Sequence, residues 1–565
     1  MNEQTVQMLE EVITSGVSIE HRDVIEGRYP SRMLPEGAIV TRSAPSPTGF
    51  VHIGTIYMCL LNQFFARQTG GVYMLRVEDT DKKREISDGI AQIVDALSAF
   101  DLVPQEGVRA DGTSYGAYGP YLQSERKSIY LTYAVELLRS GRAYPCFATK
   151  EELDAAYKEQ QAAKVRPGYY GQWALWRNKS NEDVLAALDA GLPFVLRFRS
   201  KGSHEKRIVL KDRLKGTIEL PENDLDVPLI KADGSQLPTY HLAHVVDDHL
   251  MRSTIILRGD EWLPSTPLHV ELAQALGIQP FTYAHFAPIS VLDKNGGGKR
   301  KLSKRKDPEA DVNFWLYKTA YPIQPIKAYL LGLANSQFEE WYRQHPNEPL
   351  ESFELTLDKL AASRAPLLDI QKLEDYSKEY IANLPLEDFE VGLKSLLNPE
   401  FNQALETAPK EYVCDVLSIE RTGEKRRKDI AKWSDGPDQY GYFFDELFEK
   451  NFKNQGRTDY LAAFSSETVT VACKAFLETH NPTDDQPTWF EKVKSAAELC
   501  GFATDNKAYK EDTKLPPEQR IYVGNTADFA KILRVCLTGK DRTPDLYTIM
   551  QVMGEQRVRS RLTLT

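Results

Sequence analysis

Short apolar runs alternate with amphipathic segments in the first hundred residues. Residues 38–42 and 72–77 are apolar runs typical of buried strands. Residues 55–68 and 85–100 have the periodicity of helices, and the first of these ends at Gly70-Gly71, where glycine favours helix termination. This strand–helix–strand–helix order predicts a βαβ unit with a parallel sheet.

The pattern changes after this unit. Residues 117–237 are rich in tyrosine, mix both periodicities and contain a turn signal at Asp233-Gly234, so we expect an inserted domain. Residues 239–246 and 254–257 resemble strands that return to the parallel sheet. The chain beyond Lys301 is mainly helical by period.

The composition is that of a multidomain globular protein. The 565 residues are 42% hydrophobic and 27% charged, and no apolar run reaches the roughly 18 residues that span a bilayer. The acidic-polar start lacks the pattern of a secretory signal. Six cysteines lie far apart without a Cys-x-x-Cys pair, which argues against a disulfide framework and against a four-cysteine metal site. We therefore expect a reduced, cytoplasmic protein with no membrane segment.

Basic residues concentrate in three clusters although the formal net charge is −11. Residues 196–215 hold eight basic and two acidic side chains, residues 294–306 hold seven basic and no acidic ones, and residues 425–428 are all basic. Each cluster alone is typical of a solvated surface, but three together indicate an extended polyanionic partner. The candidate contacts are Arg197, Arg199, Arg207, Lys425, Arg426 and Arg427.

Two segments have residue types suited to a nucleoside triphosphate. His52 and Gly54 lie between the first strand and the first helix, at the carboxyl end of a parallel strand, where α/β sheets bind ligands. Gly54 allows close approach to the backbone, and His52 can donate to a phosphate oxygen. Lys301, Ser303 and Lys304 follow three consecutive glycines, a hinge from which lysines can reach phosphates. Taken singly, each segment is more often loop packing or an exposed basic loop.

Another set of residues matches an amino acid with two carboxylates. Arg42 and Arg258 supply cations that bind carboxylates bidentately, and Glu78 supplies an anion for an ammonium group. Ser46 and Tyr240 add hydroxyl groups. Individually, each charge is more often a surface residue or half of an ion pair. Around one crevice, these side chains would bind a dicarboxylic amino acid.

In their order along the chain, these motifs resemble one family. The segments are Arg42-Ser43-Ala44-Pro45-Ser46-Pro47-Thr48-Gly49, His52-Ile53-Gly54, Arg76-Val77-Glu78-Asp79-Thr80-Asp81, Gly119-Pro120-Tyr121-Leu122-Gln123-Ser124, Tyr240–Met251, Arg258-Gly259-Asp260-Glu261-Trp262-Leu263 and Lys301-Leu302-Ser303-Lys304-Arg305. The chain closely resembles the bacterial-type glutamyl-tRNA synthetases, which are class I aminoacyl-tRNA synthetases. The likeness covers residues 38–384 and returns weakly near residues 534–554, whereas residues 385–522 match poorly.

The resemblance implies an α/β protein with a Rossmann-type parallel sheet, split by an α+β insertion and followed by mainly α-helical C-terminal domains. We expect an N-terminal helical extension (residues 1–36), two halves of a Rossmann domain (37–117 and 236–300), an inserted acceptor-stem-binding domain (118–235), a stem-contact domain (301–384) and a helical anticodon-binding region (385–565). The expected partners are L-glutamate, ATP with Mg²⁺ and tRNA(Glu), with tRNA(Gln) left open. The enzyme is expected to be a monomer.

The resemblance also implies a role for each motif residue. His52, Lys301 and Lys304 are the expected catalytic residues. Together with Gly54 and Ser303, they are expected to bind ATP. The positions expected to bind glutamate are Arg42, Ala44, Ser46, Glu78, Tyr240, His244 and Arg258.

Three positions depart from the family pattern. Thr55 replaces the second histidine of the His-Ile-Gly-His signature, a replacement that this subfamily tolerates. His244 stands where the family commonly has asparagine, and a neutral imidazole can still donate a hydrogen bond to a carboxylate. Some members bind zinc through a cysteine cluster in the insertion, but Cys146 stands alone here. Since one thiolate cannot form a closed tetrahedral site, we predict no structural zinc.

Three rival functions stay open at this stage. A glutaminyl-tRNA synthetase would share both ATP motifs, although Arg258 and residues 240–243 favour glutamate. The truncated paralogue that glutamylates a modified tRNA base lacks the C-terminal region, whereas this chain continues for about 180 residues after Leu384. A non-catalytic tRNA-binding relative would usually lose the signature residues, which are intact here. ATP–pyrophosphate exchange with each amino acid, in the presence of tRNA, distinguishes glutamate from glutamine activation.

Overall fold

The computed structural model describes residues 1–293, 296–303, 305–345, 348–357, 360, 365–396, 398–423 and 426–563. The chain divides into two compact units. The first comprises Met1–Phe314 and Lys327–Asp369, and the second comprises Trp315–Ile326 and Ile370–Thr565. The finer division into six segments stays a prediction.

Two pairs of parallel strands form the central sheet of the first unit. Val40–Ser43 pairs with Val72–Leu75, and Ile255–Gly259 pairs with Thr282–Phe286. The two pairs meet where the backbone N–H of Thr254 donates to the Val40 carbonyl oxygen over 3.0 Å. Nearly every residue of these strands is buried, as expected for parallel strands covered on both faces. The predicted Rossmann-type sheet is confirmed.

Helices connect these strands. They are Ile53–Gln68, Gly89–Ala99, Tyr240–Leu250 and Thr266–Ala275. The strand predicted at residues 239–246 is therefore wrong, because this segment begins the helix Tyr240–Leu250. Its Leu242, Ala243, Val245 and Val246 are all buried. A helix buried on most sides shows a continuous apolar run that periodicity alone cannot distinguish from a strand.

The insertion between the two halves of the sheet mixes helices and strands. Ala143–Cys146, Val195–Phe198 and Pro228–Ile230 form an antiparallel sheet. Arg207–Asp212 and Gly216–Pro221 form a hairpin. The helices of the insertion are Lys127–Arg139, Lys150–Ala162 and Asn181–Asp189. The hairpin extends the parallel sheet, because Asp212 pairs with Tyr283.

The N-terminal extension forms two helices, Glu3–Ile13 and Arg22–Arg28, as predicted. Charged side chains tie it to the rest of the first unit. Arg22 pairs with Glu136 at 3.1 Å, and Arg32 pairs with Glu106 at 2.8 Å. Glu106 precedes a short hairpin of Gly107–Val108 with Ser114–Tyr115. The extension is therefore a packed part of this unit.

Helices dominate the chain beyond residue 301, as predicted. After a hairpin of Ser290–Leu292 with Lys299–Lys301, the α-helices are Ile323–Ala334, Ser336–Gln344, Ile370–Asn383, Leu386–Lys394, Pro399–Thr407, Lys410–Ser418, Gly436–Tyr440, Asp445–Leu447, Lys453–Tyr460, Ser466–Thr479, Gln486–Leu499, Asn506–Asp512, Thr526–Thr538, Leu546–Met553 and Glu555–Leu562. The second unit also contains a parallel pair of short strands, Phe502–Ala503 and Gly524–Asn525. Over the described ranges, no helix has the length and apolar character needed to cross a membrane.

The local sequence explains where one helix of the second unit begins and ends. Thr526–Thr538 begins after Asn525, whose side chain forms a capping box with Asp528. It ends at Gly539, whose φ of 72° is the left-handed conformation that glycine adopts readily. The fully buried Phe476 and Phe529 belong to the core that these helices enclose.

Candidate active site

A crevice of about 490 Å³ opens at the carboxyl ends of the parallel strands. Arg42 and Arg258 reach it from two strands, Glu78 from the segment after a third, and His52 and Gly54 from the start of the helix Ile53–Gln68. The predicted site residues that line it are Arg42, Ala44, His52, Gly54, Glu78, Tyr240, Arg258 and Lys301. Residues from several distant segments thus meet where α/β sheets bind ligands.

His52 precedes the helix Ile53–Gln68 and caps it. Nδ1 of its ring accepts the backbone N–H of Gly54 over 2.8 Å. Because Nδ1 is an acceptor, the proton of the neutral ring lies on Nε2, which is therefore a donor. A β-carbon at position 54 would lie 2.9 Å from Nδ1, so this cap requires glycine. The Nε2–H group and the helix N-terminus together suit an anionic oxygen.

Arg42 is held by a buried carboxylate. Its Nε donates to Oδ1 of Asp248 over 2.8 Å, and Arg76 donates to the same oxygen over 2.8 Å. Asp247 lies beside them and pairs with Arg126 over 2.7 Å. Glu78, 3.6 Å from Arg76, is a third acidic group beside the three arginines, so the charges balance when Glu78 is ionised. The contact with Asp248 fixes the Arg42 guanidinium group at the adjoining crevice.

Glu78 faces the crevice with a shifted protonation equilibrium. Burial raises the pKa of Glu78 to about 7, against the opposing effect of the Arg76 and Arg42 guanidinium groups. Its Oε1 lies 3.6 Å from the nearest Arg76 nitrogen and accepts no hydrogen bond from the described residues. A buried carboxylate oxygen without a donor is suited to a substrate ammonium group.

Arg258 is held by uncharged acceptors. Its Nε donates to Nε2 of His285 over 2.9 Å. One terminal nitrogen contacts Nδ1 of His269 at 3.1 Å, and the other donates to Oγ1 of Thr266 over 2.8 Å. The guanidinium carbon lies 4.5 Å from the centre of the Tyr283 ring. Arg258 is only 5% exposed and lines the crevice, which makes it a fixed cation.

Tyr240 stacks against two rings. Trp262 lies at a centroid distance of 4.1 Å, and His244 lies nearly parallel at 5.6 Å. His244 is fully buried, with Nδ1 2.7 Å from Oδ2 of Asp248, and burial lowers the pKa of His244 to about 3. Neither His244 nor Ser46, which is exposed on its loop, is among the residues that line the crevice. Their direct contact with glutamate stays a prediction.

Lys301 stands at the mouth of the crevice, at the end of the strand Lys299–Lys301. Its Nζ donates to Oε1 of Glu261 over 2.9 Å, and both side chains are about half exposed. The backbone N–H of Ser303 donates to Asp307 over 2.8 Å. Lys304 lies outside the described residues. The position of Lys301 allows it to leave Glu261 for a phosphate.

The first basic cluster is partly structural. Arg197 is 7% exposed, donates to the Asp226 carbonyl oxygen over 2.8 Å and lies 3.9 Å from the Tyr169 ring centre. Arg199 is half-buried and donates to the Arg177 carbonyl oxygen. Arg207 is exposed on its hairpin. A tRNA contact at Arg197 or Arg199 therefore gains no support from their placement, whereas Arg207 is accessible and its contact stays a prediction.

The cluster in the C-terminal region is also partly paired. Arg426 is exposed and donates to the Asn383 side chain over 3.0 Å. Arg427 is 5% exposed at its side chain and pairs with Asp429 over 2.5 Å. Lys425 lies outside the described residues. Arg426 is therefore the more accessible of the two described arginines.

Cys146 is buried, with Sγ 3.1 Å from the Tyr169 hydroxyl oxygen. Over the part of the chain that the structure describes, no group of three or more His, Cys, Asp or Glu side chains is arranged to hold a metal ion. The absence of structural zinc stays a prediction.

Several residues of the site carried no signal that identified their role. Asp248 lies inside the motif Tyr240–Met251, but nothing in the sequence pairs it with Arg42. His269 and His285 lie outside every motif. Trp262 lies inside the Arg258 motif, where the family resemblance alone marked it.

Two family models match this chain. The family model "tRNA synthetases class I (E and Q), catalytic domain" matches residues 38–366, and the model "Anticodon binding domain" matches residues 458–565.

Curated relatives match over nearly the whole chain. The glutamate–tRNA ligase of Clostridium perfringens (strain 13 / Type A) is 42% identical over 538 residues, covering 95% of this chain and 96% of the relative. That of Sorangium cellulosum (strain So ce56) is 42% identical over 575 residues, covering 97% and 98%. These alignments run through most of residues 385–522.

A solved structure is similar as well. The crystal structure of a glutamate tRNA ligase from Elizabethkingia meningosepticum CCUG26117, in complex with its amino acid, superposes with a TM-score of 0.71 at 25% identity. The superposition covers 93% of this chain and 98% of the Elizabethkingia chain.

Proposed function

The chain belongs to the glutamate–tRNA ligases, a family of class I aminoacyl-tRNA synthetases, and from this premise we propose that the crevice binds glutamate beside ATP. The reaction activates glutamate with ATP and transfers the glutamyl group to tRNA. The observation that carries the proposal is the convergence of Arg42, Glu78 and Arg258 with His52 and Lys301 around one cavity.

Glutamate has one ammonium and two carboxylate groups, and the crevice offers three groups of matching charge. Glu78 binds the ammonium group, and Arg42 and Arg258 each bind a carboxylate through a charge-assisted contact. An arginine that faces the amide of glutamine is left without a counter-charge. Because an unpaired buried charge costs about 3–5 kcal/mol, this arrangement rejects glutamine by about 10²–10³-fold.

ATP lies against His52, Gly54, Lys301 and Ser303. A glutamate carboxylate oxygen attacks the α-phosphorus, and pyrophosphate leaves. The Nε2–H of His52 donates to oxygens whose negative charge grows during this step, and Lys301 faces the phosphates of the leaving group. No protein nucleophile takes part, since position and charge supply the catalysis.

Lys304 completes this set, although it lies outside the described residues. We expect Lys304→Ala to lower adenylate formation and to leave tRNA binding nearly intact. Mg²⁺ typically accompanies ATP, bound to its phosphates, to water and to one or two carboxylates. Of the described residues that line the crevice, Glu261 would supply a carboxylate to this ion, whose charge would offset that of the phosphates.

Transfer follows when the terminal ribose hydroxyl of tRNA attacks the activated carbonyl and AMP leaves. The match to an anticodon-binding domain supports tRNA as the acceptor. We assign the acceptor stem to the insertion, with the exposed Arg207 as its leading contact, and the anticodon arm to the region of Arg426. We further propose that the enzyme is a monomer of the cytoplasm, where charged tRNA is consumed, and that tRNA(Gln) is the alternative acceptor to test.

One experiment tests the whole proposal. Purified protein, ATP and labelled glutamate are incubated with purified tRNA(Glu) or tRNA(Gln), and acid-precipitable label is counted. We expect charging of tRNA(Glu), and label on tRNA(Gln) would identify a non-discriminating enzyme. The same assay with labelled glutamine should give no product. Charging with glutamine but not glutamate would overturn the proposal.

A further inference from the structure

Arg258 differs from the other buried arginines of the site in its partners. Arg42 and Arg76 both contact the carboxylate of Asp248. Arg258 contacts histidine nitrogens, the Thr266 hydroxyl group and the Trp262 carbonyl oxygen, all of which are uncharged. Within the described part of the chain, no carboxylate forms an ion pair with it. Its charge is therefore not neutralised by a direct contact.

The fold places both histidines against this guanidinium group. Arg258 and His285 are opposite residues of two paired parallel strands, so the sheet register brings them together. His269 lies in the first turns of the helix Thr266–Ala275, which follows the Arg258 strand. The side chains of all three residues are buried.

Hydrogen bonds at the far side of each ring fix its tautomer. Nδ1 of His285 lies 2.6 Å from Oδ2 of Asp212, so it carries the proton and leaves Nε2 to accept from Arg258. Nε2 of His269 lies 3.0 Å from Nδ1 of His241. Because the Arg258 guanidinium group can only donate, Nδ1 of His269 accepts, and Nε2 carries the proton that it donates to His241. Each ring is then a neutral acceptor aimed at one nitrogen of the guanidinium group.

We propose that His269 and His285 are positioning residues that orient Arg258 while leaving its charge to the substrate. The inference rests on the proposed function, in which Arg258 binds a carboxylate of glutamate. A carboxylate in place of either ring would make the same hydrogen bond, but it would also neutralise the guanidinium group. The glutamate carboxylate would then compete with a permanent intramolecular partner.

Burial keeps both rings in the accepting state. It lowers the pKa of His285 and holds that of His269 well below its ordinary value, and the Arg258 charge acts in the same direction on each. A protonated ring has no acceptor nitrogen and would repel the guanidinium group. The histidines therefore stay neutral beside a cation.

The test uses matched pairs that differ in charge alone. The side-chain oxygen of asparagine replaces an acceptor at Nδ1, so His269→Asn is compared with His269→Asp. The side-chain oxygen of glutamine replaces an acceptor at Nε2, so His285→Gln is compared with His285→Glu. Both members of a pair lose the same second bond, to His241 or to Asp212. The His269 pair is the decisive one, because at position 285 the new carboxylate also faces Asp212.

We expect the acidic member of each pair to have a glutamate KM about 10-fold or more above that of its amide partner, equivalent to about 1.4 kcal/mol. The KM for ATP should differ by less than about 2-fold, because the change acts on the amino acid. Both constants come from glutamate-dependent ATP–pyrophosphate exchange with tRNA present, on full-length protein. Thermal unfolding of each variant shows that the folded protein is assayed.

The inference would be overturned if the two members of each pair had equal KM values for glutamate. It would also be overturned if the acidic member raised the KM for glutamate and the KM for ATP by the same factor. A merely structural role predicts loss of stability with no split between the substrates. If the unmodified protein exchanges no label with glutamate, it is the proposed function that fails. If an acidic variant does not fold, His269→Leu against His269→Asn decides, because loss of the acceptor should raise the glutamate KM and the amide should restore it.

Discussion

The backbone N–H of Gly54 donates to Nδ1 of His52 over 2.8 Å, and this bond sets the proton of the His52 ring on Nε2. We expect Gly54→Ala to displace the ring, because the new β-carbon would lie 2.9 Å from Nδ1 and 3.3 Å from Cε1. Since a displacement of about 1 Å can slow a reaction by up to about 10²-fold, adenylate formation should fall by at least about 10-fold. ATP–pyrophosphate exchange measures this loss.

Gly27→Ala is the matched control. Gly27 is an exposed residue of the helix Arg22–Arg28, and a β-carbon there meets no atom within 4 Å. Alanine in a helix stabilises the folded protein by about 0.5–1 kcal/mol relative to glycine. Because this position is remote from the crevice residues, the variant should keep full activity. Equal exchange rates for the two variants would show that the His52 orientation does not matter.

The raised pKa of Glu78 makes the free energy of unfolding depend on pH. Burial raises its pKa from an ordinary 4.5 to about 7, so the folded protein holds this proton to a higher pH than the unfolded chain does. The stability contributed by the protonated group is present at low pH and is lost as the pH rises through about 7. At pH 8 the loss is up to about 3 kcal/mol, at about 1.4 kcal/mol per pKa unit.

We therefore expect Glu78→Gln to be more stable than the unmodified protein at pH 8 and nearly equal to it at pH 4.5. The same variant should lose glutamate activation, because the amide does not pair with an ammonium group. Urea unfolding at the two pH values measures the difference, and Glu125→Gln, at an exposed position, is the control. A stability difference that does not change with pH would contradict the linkage.

The strands and most helices around the crevice could be predicted because short apolar runs are bounded by glycine and polar residues. The helix Tyr240–Leu250 could not, since burial on most sides removes the polar face that identifies a helix. Charge counting likewise failed to separate Arg197, which packs inside the insertion, from the exposed Arg207. Both errors have one cause, which is that composition does not report the face a side chain occupies.

The motif residues of the site could be grouped from the sequence, but the residues that support them could not. Arg42, Glu78 and Arg258 belong to segments that match one family in order. Asp248 and His285 reach the site through helix packing and sheet register, and no local pattern in the sequence identifies the arginine that either one contacts. Support from residues remote in sequence is a property of the fold, and it appears only in three dimensions.

Arg42→Ala and Arg258→Ala are each expected to raise the glutamate KM by about 10²-fold, because truncating one partner of a buried charge pair costs about 2–5 kcal/mol. Asp248 keeps its contact with Arg76 at 2.8 Å when Arg42 is removed, so the first variant should fold. Arg84→Ala, at a side chain that is 75% exposed, is the control. An unchanged glutamate KM in both variants would refute the amino-acid site.

We expect opposite outcomes from substituting Arg207 and Arg197, which belong to the same basic cluster. Arg207 is exposed on its hairpin, so Arg207→Ala should weaken tRNA binding and reduce the slope of log affinity against log salt by about 1, with stability unchanged. Arg197 is 7% exposed and donates to the Asp226 carbonyl oxygen. Arg197→Ala leaves that acceptor unpaired, so it should destabilise the insertion by about 1–3 kcal/mol and leave the salt slope unchanged.

Filter binding of labelled tRNA at several salt concentrations measures the slope, and urea unfolding measures the stability. Each variant is the control for the other, because both remove one positive charge from the same cluster. If net charge alone attracted tRNA, the two slopes would change equally. A change of slope in Arg197→Ala but not in Arg207→Ala would place the tRNA contact on the opposite face of the insertion, since the guanidinium group of Arg197 is directed into its interior.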